Sequence, residues 1–192
     1  TKKLFLSINR HSNFFVGVPD SVLKNFLNHL ENRKDIKNVI ATNEGSAISL
    51  GIGYHLSTKK IPCVYLQNSG LGNSVNPLVS IAHSKIYSIP LLLLIGWRGT
   101  PNLPDEPQHI IKGKITKDIL KILNIEYLVL NNNNDLKKIK QLILSSQKKN
   151  KPVAILVKKD TLNKVIKKNR KKIKGKNLKR ELFIKKLLSN VK

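Results

Sequence analysis

The sequence predicts an α/β fold: a doubly wound, mainly parallel, six-stranded sheet flanked by helices. Three observations support this prediction. Short apolar runs of strand length alternate with amphipathic helical stretches, which is the pattern of βαβ units. The longest apolar run, from Ile89 to Gly96, matches a strand buried on both faces of a parallel sheet. The 192 residues suffice for one domain with a real core but not for two full ones.

The first half of the chain consists of three strand–helix pairs. Each strand is a short apolar run, and each helix shows apolar residues at helical spacing. Asp20 or Ser21 caps the first helix, directly after the Pro19 that closes the first strand. The third helix contains Pro77, which a helix tolerates only near its first turn. The strands are expected at 13–18, 38–41 and 62–66, and the helices at 22–30, 44–56 and 71–83.

The second half continues this alternation around an irregular loop. Residues 96–109 contain five glycine or proline residues, which exclude a regular element, and their charged and aromatic side chains favour a functional loop. The remaining strands are expected at 90–95, 126–130 and 152–157, and the helices at 116–123, 135–146 and 178–189. We expect one domain over residues 1–157 and a basic linker over residues 158–192 whose final helix belongs to another unit.

Composition limits the function classes. The net charge of +25 suggests a nucleic-acid-binding protein, but the excess lysine lies from Lys112 onward and accompanies abundant Asn and Ile, as a proteome-wide bias would produce. Aromatic residues make up only 5%, so stacking platforms for single strands are missing. A single cysteine, Cys63, allows no internal disulfide and no multi-cysteine metal site. With no run of about 18 apolar residues, we expect a cytoplasmic protein and no membrane partner.

Polar or glycine-rich turns follow the first four strands, and in a parallel sheet these turns lie along one edge. Glu44 stands in the second turn, where a helix begins. It either caps that helix, whose dipole favours a negative charge, or faces a ligand crevice. The third turn has two glycines that permit close approach but matches neither the dinucleotide nor the P-loop spacing. Neutral donors and acceptors come from Asn68, Ser69, Asn73 and Asn76.

The irregular loop carries the other candidates. Arg98 and His109 have no packing reason to lie there, and an arginine in this position suits a carboxylate or phosphonate as a bidentate partner. Cys63 lies within a strand, which favours a buried and inert thiol. The histidines at 55, 83 and 109 lack metal-ligand spacing.

Four groups of segments together resemble one family. They are 17–24 (GVPDSVLK); 43–45 (NEG) with 53–56 (GYHL); 67–73 (QNSGLGN) with 76–78 (NPL); and 95–99 (IGWRG) with 105–109 (DEPQH). In this order and with these gaps, they resemble the phosphonopyruvate decarboxylases, which are thiamine-diphosphate-dependent decarboxylases. The resemblance extends over roughly residues 14–157. The related sulfopyruvate decarboxylases are the nearest rival family.

The resemblance implies the pyrimidine-binding domain of such an enzyme, with the thiamine-diphosphate-binding fold. Glu44 matches the family's glutamate, which hydrogen-bonds a ring nitrogen of the cofactor's aminopyrimidine and thereby activates the cofactor. The implied cofactor-binding residues are Glu44, Gln67, Asn68, Ser69 and Gly70. The implied substrate-binding residues are Asp20, Asn73, Arg98 and His109.

The resemblance also implies a second half. Family members bind the diphosphate and Mg²⁺ through a domain that starts with Gly-Asp-Gly, which is absent here, so no metal ligand is expected in this chain. That half is either a continuation of the protein or a separate subunit, as in sulfopyruvate decarboxylases, and an oligomer is expected because the site lies between subunits.

The implied reaction converts 3-phosphonopyruvate to phosphonoacetaldehyde and CO₂ in phosphonate biosynthesis. Three alternatives stay open: an alpha-type subunit of sulfopyruvate decarboxylase in the coenzyme M pathway, a basic nucleic-acid-binding protein, and a non-catalytic remnant.

Overall fold

Six strands alternate with seven α-helices within residues 1–131, 135–165 and 180–189, the part of the chain that the computed structural model describes. The strands are β1 (Phe14–Gly17), β2 (Lys37–Ile40), β3 (Cys63–Gln67), β4 (Leu92–Trp97), β5 (Glu126–Leu130) and β6 (Val153–Lys158). The helices are α1 (Lys2–Asn9), α2 (Lys24–Glu31), α3 (Glu44–Thr58), α4 (Leu71–Pro77), α5 (Pro107–Ile122), α6 (Leu136–Lys149) and α7 (Arg180–Ser189). A 3₁₀ turn covers Asn68–Gly70, and a π-helical turn covers Leu78–Ala82.

The strands form one sheet in the order β2-β1-β3-β4-β6-β5, and every neighbouring pair is parallel. This confirms the predicted doubly wound α/β fold. The last residue of β1, Gly17, pairs with Ile40 of β2 and with Tyr65 of β3, and Gln67 at the end of β3 pairs with Gly96. The turns that leave these four strands therefore share the carboxyl edge of the sheet.

The core consists of two apolar layers, one on each face of the sheet. Buried residues of α1, α2 and α6 fill one layer, which includes the stacked rings of Phe5 and Phe15 at 6.0 Å between centroids. Residues of α3, α4 and α5 fill the other. Strand β4 contributes side chains to both layers, since Leu92 and Leu94 face the first layer while Leu93 faces the second. This alternation follows from the twofold period of a strand.

Four element predictions need correction. Helix α2 begins at Lys24, with Leu23 and not Asp20 or Ser21 at its N-cap position, because the segment before it forms a turn in which Asp20 accepts a hydrogen bond from the Leu23 N–H. Helix α1 was not expected, because it is only eight residues long and begins with two lysines, yet its apolar face is buried. Helix α5 begins at Pro107 instead of residue 116, because proline fits the first position of a helix; the irregular loop is thus confined to 98–106. The helix expected at 71–83 is an α-helix only to Pro77, which stands at its end and not in its first turn.

Helix α7 agrees with the helix predicted at 178–189 over its described residues. The linker residues 166–179 and residues 190–192 lie outside the described part of the chain, as do residues 132–134. The division into a domain at 1–157 and a linker at 158–192 stays a prediction, although β6 itself extends through Lys158. None of the described helices is long and apolar enough to cross a membrane.

Candidate active site

Glu44 is the first residue of α3, at the carboxyl edge of the sheet. The helix is capped by Asn43, whose Oδ1 accepts a hydrogen bond from the backbone N–H of Ser46 at 2.8 Å. Because Asn43 already provides the cap, capping does not explain Glu44. The Glu44 side chain instead reaches across to α4, where its Oε2 accepts a hydrogen bond from Asn73 Nδ2 at 2.8 Å.

The Glu44 carboxylate lies directly against Gly70, in the 3₁₀ turn after β3. A Cβ atom built on Gly70 would come within 2.3 Å of Glu44 Cγ and 2.5 Å of Oε1, far closer than any side chain permits. Gly72, two residues later, has open space around the same position. The glycine at 70 therefore provides the room in which the carboxylate sits, and the two predicted site residues Glu44 and Gly70 are brought together.

A second carboxylate, Asp20, is buried between the turns after β1 and β3. Its Oδ1 accepts a hydrogen bond from Gln67 Nε2 at 2.8 Å, and its Oδ2 accepts one from the backbone N–H of Leu23 at 3.1 Å. Gln67 Oε1 in turn accepts a hydrogen bond from the Ser69 hydroxyl at 2.6 Å. The opposite wall is Gly96, where a Cβ atom would lie 2.1 Å from Asp20 Oδ2. Three predicted site residues, Asp20, Gln67 and Ser69, thus form one hydrogen-bonded chain.

Asn68 has a different environment from its neighbours in the turn. Its side chain is buried, and Nδ2 donates to the backbone oxygen of Arg98 and to Thr116 Oγ1, both at 2.9 Å. Its Oδ1 accepts from the backbone N–H of Arg98 at 3.1 Å. The amide therefore joins the turn after β3 to the end of β4 and to α5. Its predicted contact with a cofactor stays a prediction, and Thr116 is a partner that the sequence did not indicate.

Arg98 is held by an acid in its own loop. Its Nε donates to both oxygens of Asp105 at 2.9 and 3.0 Å, its Nη2 donates to the same carboxylate, and Nη1 donates to Ser21 Oγ at 3.0 Å. The Asp105 carboxylate also accepts hydrogen bonds from the backbone N–H groups of Gly99 and Glu106. The guanidinium and these N–H groups hold the pKa of the Asp105 carboxyl well below its usual range. One edge of the Arg98 fork is thus already occupied, which the sequence interpretation had left free for a ligand.

His109 lies in the first turn of α5, packed against the start of the loop. Gly99 has φ +66°, and its missing Cβ would lie 1.9 Å from the backbone oxygen of His109. The Nδ1 atom of His109 is buried and has no hydrogen-bond partner within the described residues. The described contacts do not join His109 to either carboxylate, so its substrate-binding role stays a prediction.

An open groove of about 890 Å³ lies beside Glu44, between α3 and the segment formed by α4 and the π-helical turn. It is mainly apolar, and its lining includes Gly45, Leu50, Tyr54 and Asn73. Within residues 1–131, 135–165 and 180–189, no group of three or more His, Cys, Asp or Glu side chains is placed to hold a metal ion. The buried Cys63 carries a thiol whose pKa is raised by burial, as expected for an inert group.

Residues 8–122 match the family model of the thiamine pyrophosphate enzyme, N-terminal TPP binding domain. The chain belongs to this family. It is 36% identical to a phosphonopyruvate decarboxylase of Streptomyces viridochromogenes over 119 residues, which are 62% of this chain and 29% of that protein. It is 38% identical to the sulfopyruvate decarboxylase subunit alpha of Methanococcus maripaludis over 114 residues, which are 59% of this chain and 66% of that subunit.

Solved structures agree on the fold of this TPP-binding domain. The thiamine diphosphate-dependent 4-hydroxybenzoylformate decarboxylase of Rhodococcus jostii RHA1 superimposes with a TM-score of 0.64 at 22% identity, over 82% of this chain and 29% of that one. The benzoylformate decarboxylase of Polynucleobacter necessarius gives a TM-score of 0.64 at 20% identity, over 88% and 31%. At these identities the likeness concerns the fold alone. The TPP-binding domain spans less than a third of the phosphonopyruvate decarboxylases it matches.

Proposed function

We propose that this chain is the pyrimidine-binding half of a thiamine-diphosphate-dependent decarboxylase that converts 3-phosphonopyruvate to phosphonoacetaldehyde and CO₂. The observation that carries the proposal is the Glu44 carboxylate, which lies over Gly70 at the carboxyl edge of the sheet and is oriented by Asn73. In open α/β sheets, ligands bind at this edge.

The residues around Glu44 fit the pyrimidine end of the cofactor. When bound, thiamine diphosphate supplies the electron sink that decarboxylation of a 2-oxo acid requires. Asn73 fixes Oε2, and Oε1 accepts no hydrogen bond from any described residue. Oε1 is therefore the atom that can hold the proton of a pyrimidine ring nitrogen. Fixing one oxygen leaves the other in a defined direction, which is what a preorganised acid–base contact needs.

Asp20, Gln67 and Ser69 form the substrate side of the site in this proposal. Asp20 fixes the Gln67 amide by accepting from Nε2, so that Oε1 of Gln67 faces the Ser69 hydroxyl. Gln67 and Ser69 lie within three residues of Gly70, against which Glu44 packs, and Asp20 is joined to them through Gln67. Together they offer a buried carboxylate and an oriented hydroxyl for the polar groups of a 2-oxo acid.

The diphosphate and Mg²⁺ are assigned to a second half, either a further part of the protein or a partner subunit, with oligomerisation completing the site. The apolar groove beside Glu44 supports this arrangement. Leu50, which lines the groove, and Val75 and Val79, on α4 and the π-helical turn that border it, are each more than a third exposed, so this side offers apolar surface to a partner.

The alternative is the alpha-type subunit of a sulfopyruvate decarboxylase. The chain is about as similar to the matched subunit of Methanococcus maripaludis, at 38% identity, as to the phosphonopyruvate decarboxylase, at 36%. Phosphonate and sulfonate are both tetrahedral oxyanions, and both suit a cationic site.

A CO₂-release assay tests the proposal. The chain is measured alone and with a candidate diphosphate-binding partner, in the presence of thiamine diphosphate and Mg²⁺, on 3-phosphonopyruvate and on sulfopyruvate. We expect turnover only with the partner, and a loss of at least about a hundredfold in Glu44→Gln, which keeps the shape of the side chain but not its charge. Full activity of Glu44→Gln would refute the role of Glu44. Turnover of sulfopyruvate alone would select the alternative.

A further inference from the structure

We infer that Asp105 is a positioning residue. It aims the Arg98 guanidinium into a polar groove, different from the apolar groove beside Glu44, and the substrate's second anionic group binds in this polar groove. The inference rests on the proposed function, because it concerns the phosphonate or sulfonate end of that substrate. The Asp105 side chain is only 6% exposed, and it accepts hydrogen bonds from the Arg98 guanidinium and from two backbone N–H groups. Because the Asp105 carboxylate is enclosed and accepts several hydrogen bonds, it holds the Arg98 guanidinium in one orientation.

The donor inventory of Arg98 shows what remains for a ligand. A guanidinium has five N–H donors in a rigid fork. Nε and one N–H of Nη2 point to Asp105, and one N–H of Nη1 points to Ser21. The two remaining N–H groups, one on Nη1 and one on Nη2, have no partner among the described residues. A tetrahedral oxyanion can accept two parallel N–H groups of this kind.

Arg98 lines a polar groove of about 850 Å³ at the carboxyl ends of β1, β4 and β6. Ser21, the residue after Asp20, lines the same groove, so the groove adjoins the Asp20–Gln67–Ser69 chain. Three lysines and two acids also line it, and these lysines form no ion pair within the described part of the chain. The lysines are Lys24, Lys159 and Lys164, and the acids are Glu106 and Asp160. The charge around the groove therefore favours an anion.

Orientation and charge give opposite predictions for Asp105. Its negative charge lies next to Arg98 and on its own repels an incoming anion, so its removal should tighten anion binding if charge were all that mattered. If Asp105 instead holds the guanidinium in place, its removal frees several rotatable bonds, and binding must order them again. The sign of the effect therefore separates the two roles.

The experiment is a titration of the full chain with phosphonoacetate, which carries the phosphonate and a carboxylate but no keto group to react. Binding is followed on the Arg98 Nε–H resonance by NMR at about 0.15 M salt, with acetate as the reference anion. We expect phosphonoacetate to shift this resonance and acetate not to do so. Asp105→Asn should bind phosphonoacetate about fivefold more weakly.

Asp35→Asn is the matched control, since it removes the carboxylate of the exposed Arg33–Asp35 pair and should leave binding unchanged. Arg98→Lys keeps the charge but not the fork and has no Nε–H to observe, so its binding is followed on the backbone N–H resonance of Ser21, which lines the same groove. We expect weaker binding, and adding Asp105→Asn to this variant should cause no further loss. Equal or tighter binding by Asp105→Asn overturns the inference, as does an Arg98 resonance that phosphonoacetate does not move. The titration needs neither cofactor nor partner, so the two proposals can fail separately. CO₂ release without phosphonoacetate binding at Arg98 would overturn this inference alone, and binding without CO₂ release would count against the proposed function alone.

Discussion

Gly70→Ala should misplace the Glu44 carboxylate while leaving the fold intact. The added methyl group would lie 2.3 Å from Glu44 Cγ, whereas ordinary van der Waals contact begins at 3.4 Å, so the side chain must move by about 1 Å. The crowded atoms belong to a side chain that can rotate, so the cost to folding should stay near the low end of overpacking, about 1 kcal/mol. A shift of about 1 Å at a reacting group can lower the rate roughly a hundredfold.

Gly72→Ala is the matched control, because it adds the same methyl group two residues later, where no atom beyond its own helical turn lies within 4 Å. Urea unfolding compares the stability of the two variants. The Asn73 side-chain NH₂ resonance reports directly on its hydrogen bond to Glu44, and CO₂ release with the diphosphate-binding half reports on function. We expect Gly70→Ala alone to change the Asn73 signal and to lose activity. Unchanged Asn73 resonances and full activity in Gly70→Ala would refute the reasoning about this contact.

Three further predictions concern stability, each measured by urea unfolding. Asn43→Ala removes the cap that accepts from Ser46 and should cost about 1 kcal/mol. Asn68→Ala removes the partner of the backbone N–H and oxygen of Arg98, directly after β4, and one of the two partners of the Thr116 hydroxyl, and it should cost about 1–3 kcal/mol. The lowered pKa of Asp105 means that its contribution is complete above its unfolded pKa of about 3.9 and is lost as the pH falls below that value. The stability difference between the unaltered chain and Asp105→Asn should therefore shrink on acidification from pH 6 to pH 3.

The sequence was sufficient to predict the sheet, because each strand is a short apolar run and the strands alternate with helices along the chain. It also singled out Glu44, since the end of a strand and the start of a helix are both visible in local sequence. Helix α1 escaped prediction because only tertiary packing buries its short apolar face. The Arg98–Asp105 pair was equally hidden: its geometry depends on a loop turned by Gly99 at φ +66°, and a lone arginine in a loop gives no sign of its partner.

The Glu44 and Asp20 carboxylates, both at the carboxyl edge of the sheet, are accommodated in the same way. Glu44 lies where Gly70 has no side chain, and Asp20 lies where Gly96 has none. In each case a side-chain amide from another element fixes the acid: Asn73 of α4 for Glu44, and Gln67 at the end of β3 for Asp20. Asp20 also serves the fold, because it accepts a hydrogen bond from the backbone N–H of Leu23, whereas the helix cap beside Glu44 is already provided by Asn43. The pairing of an oriented acid with an empty neighbouring position therefore argues most strongly for a ligand at Glu44.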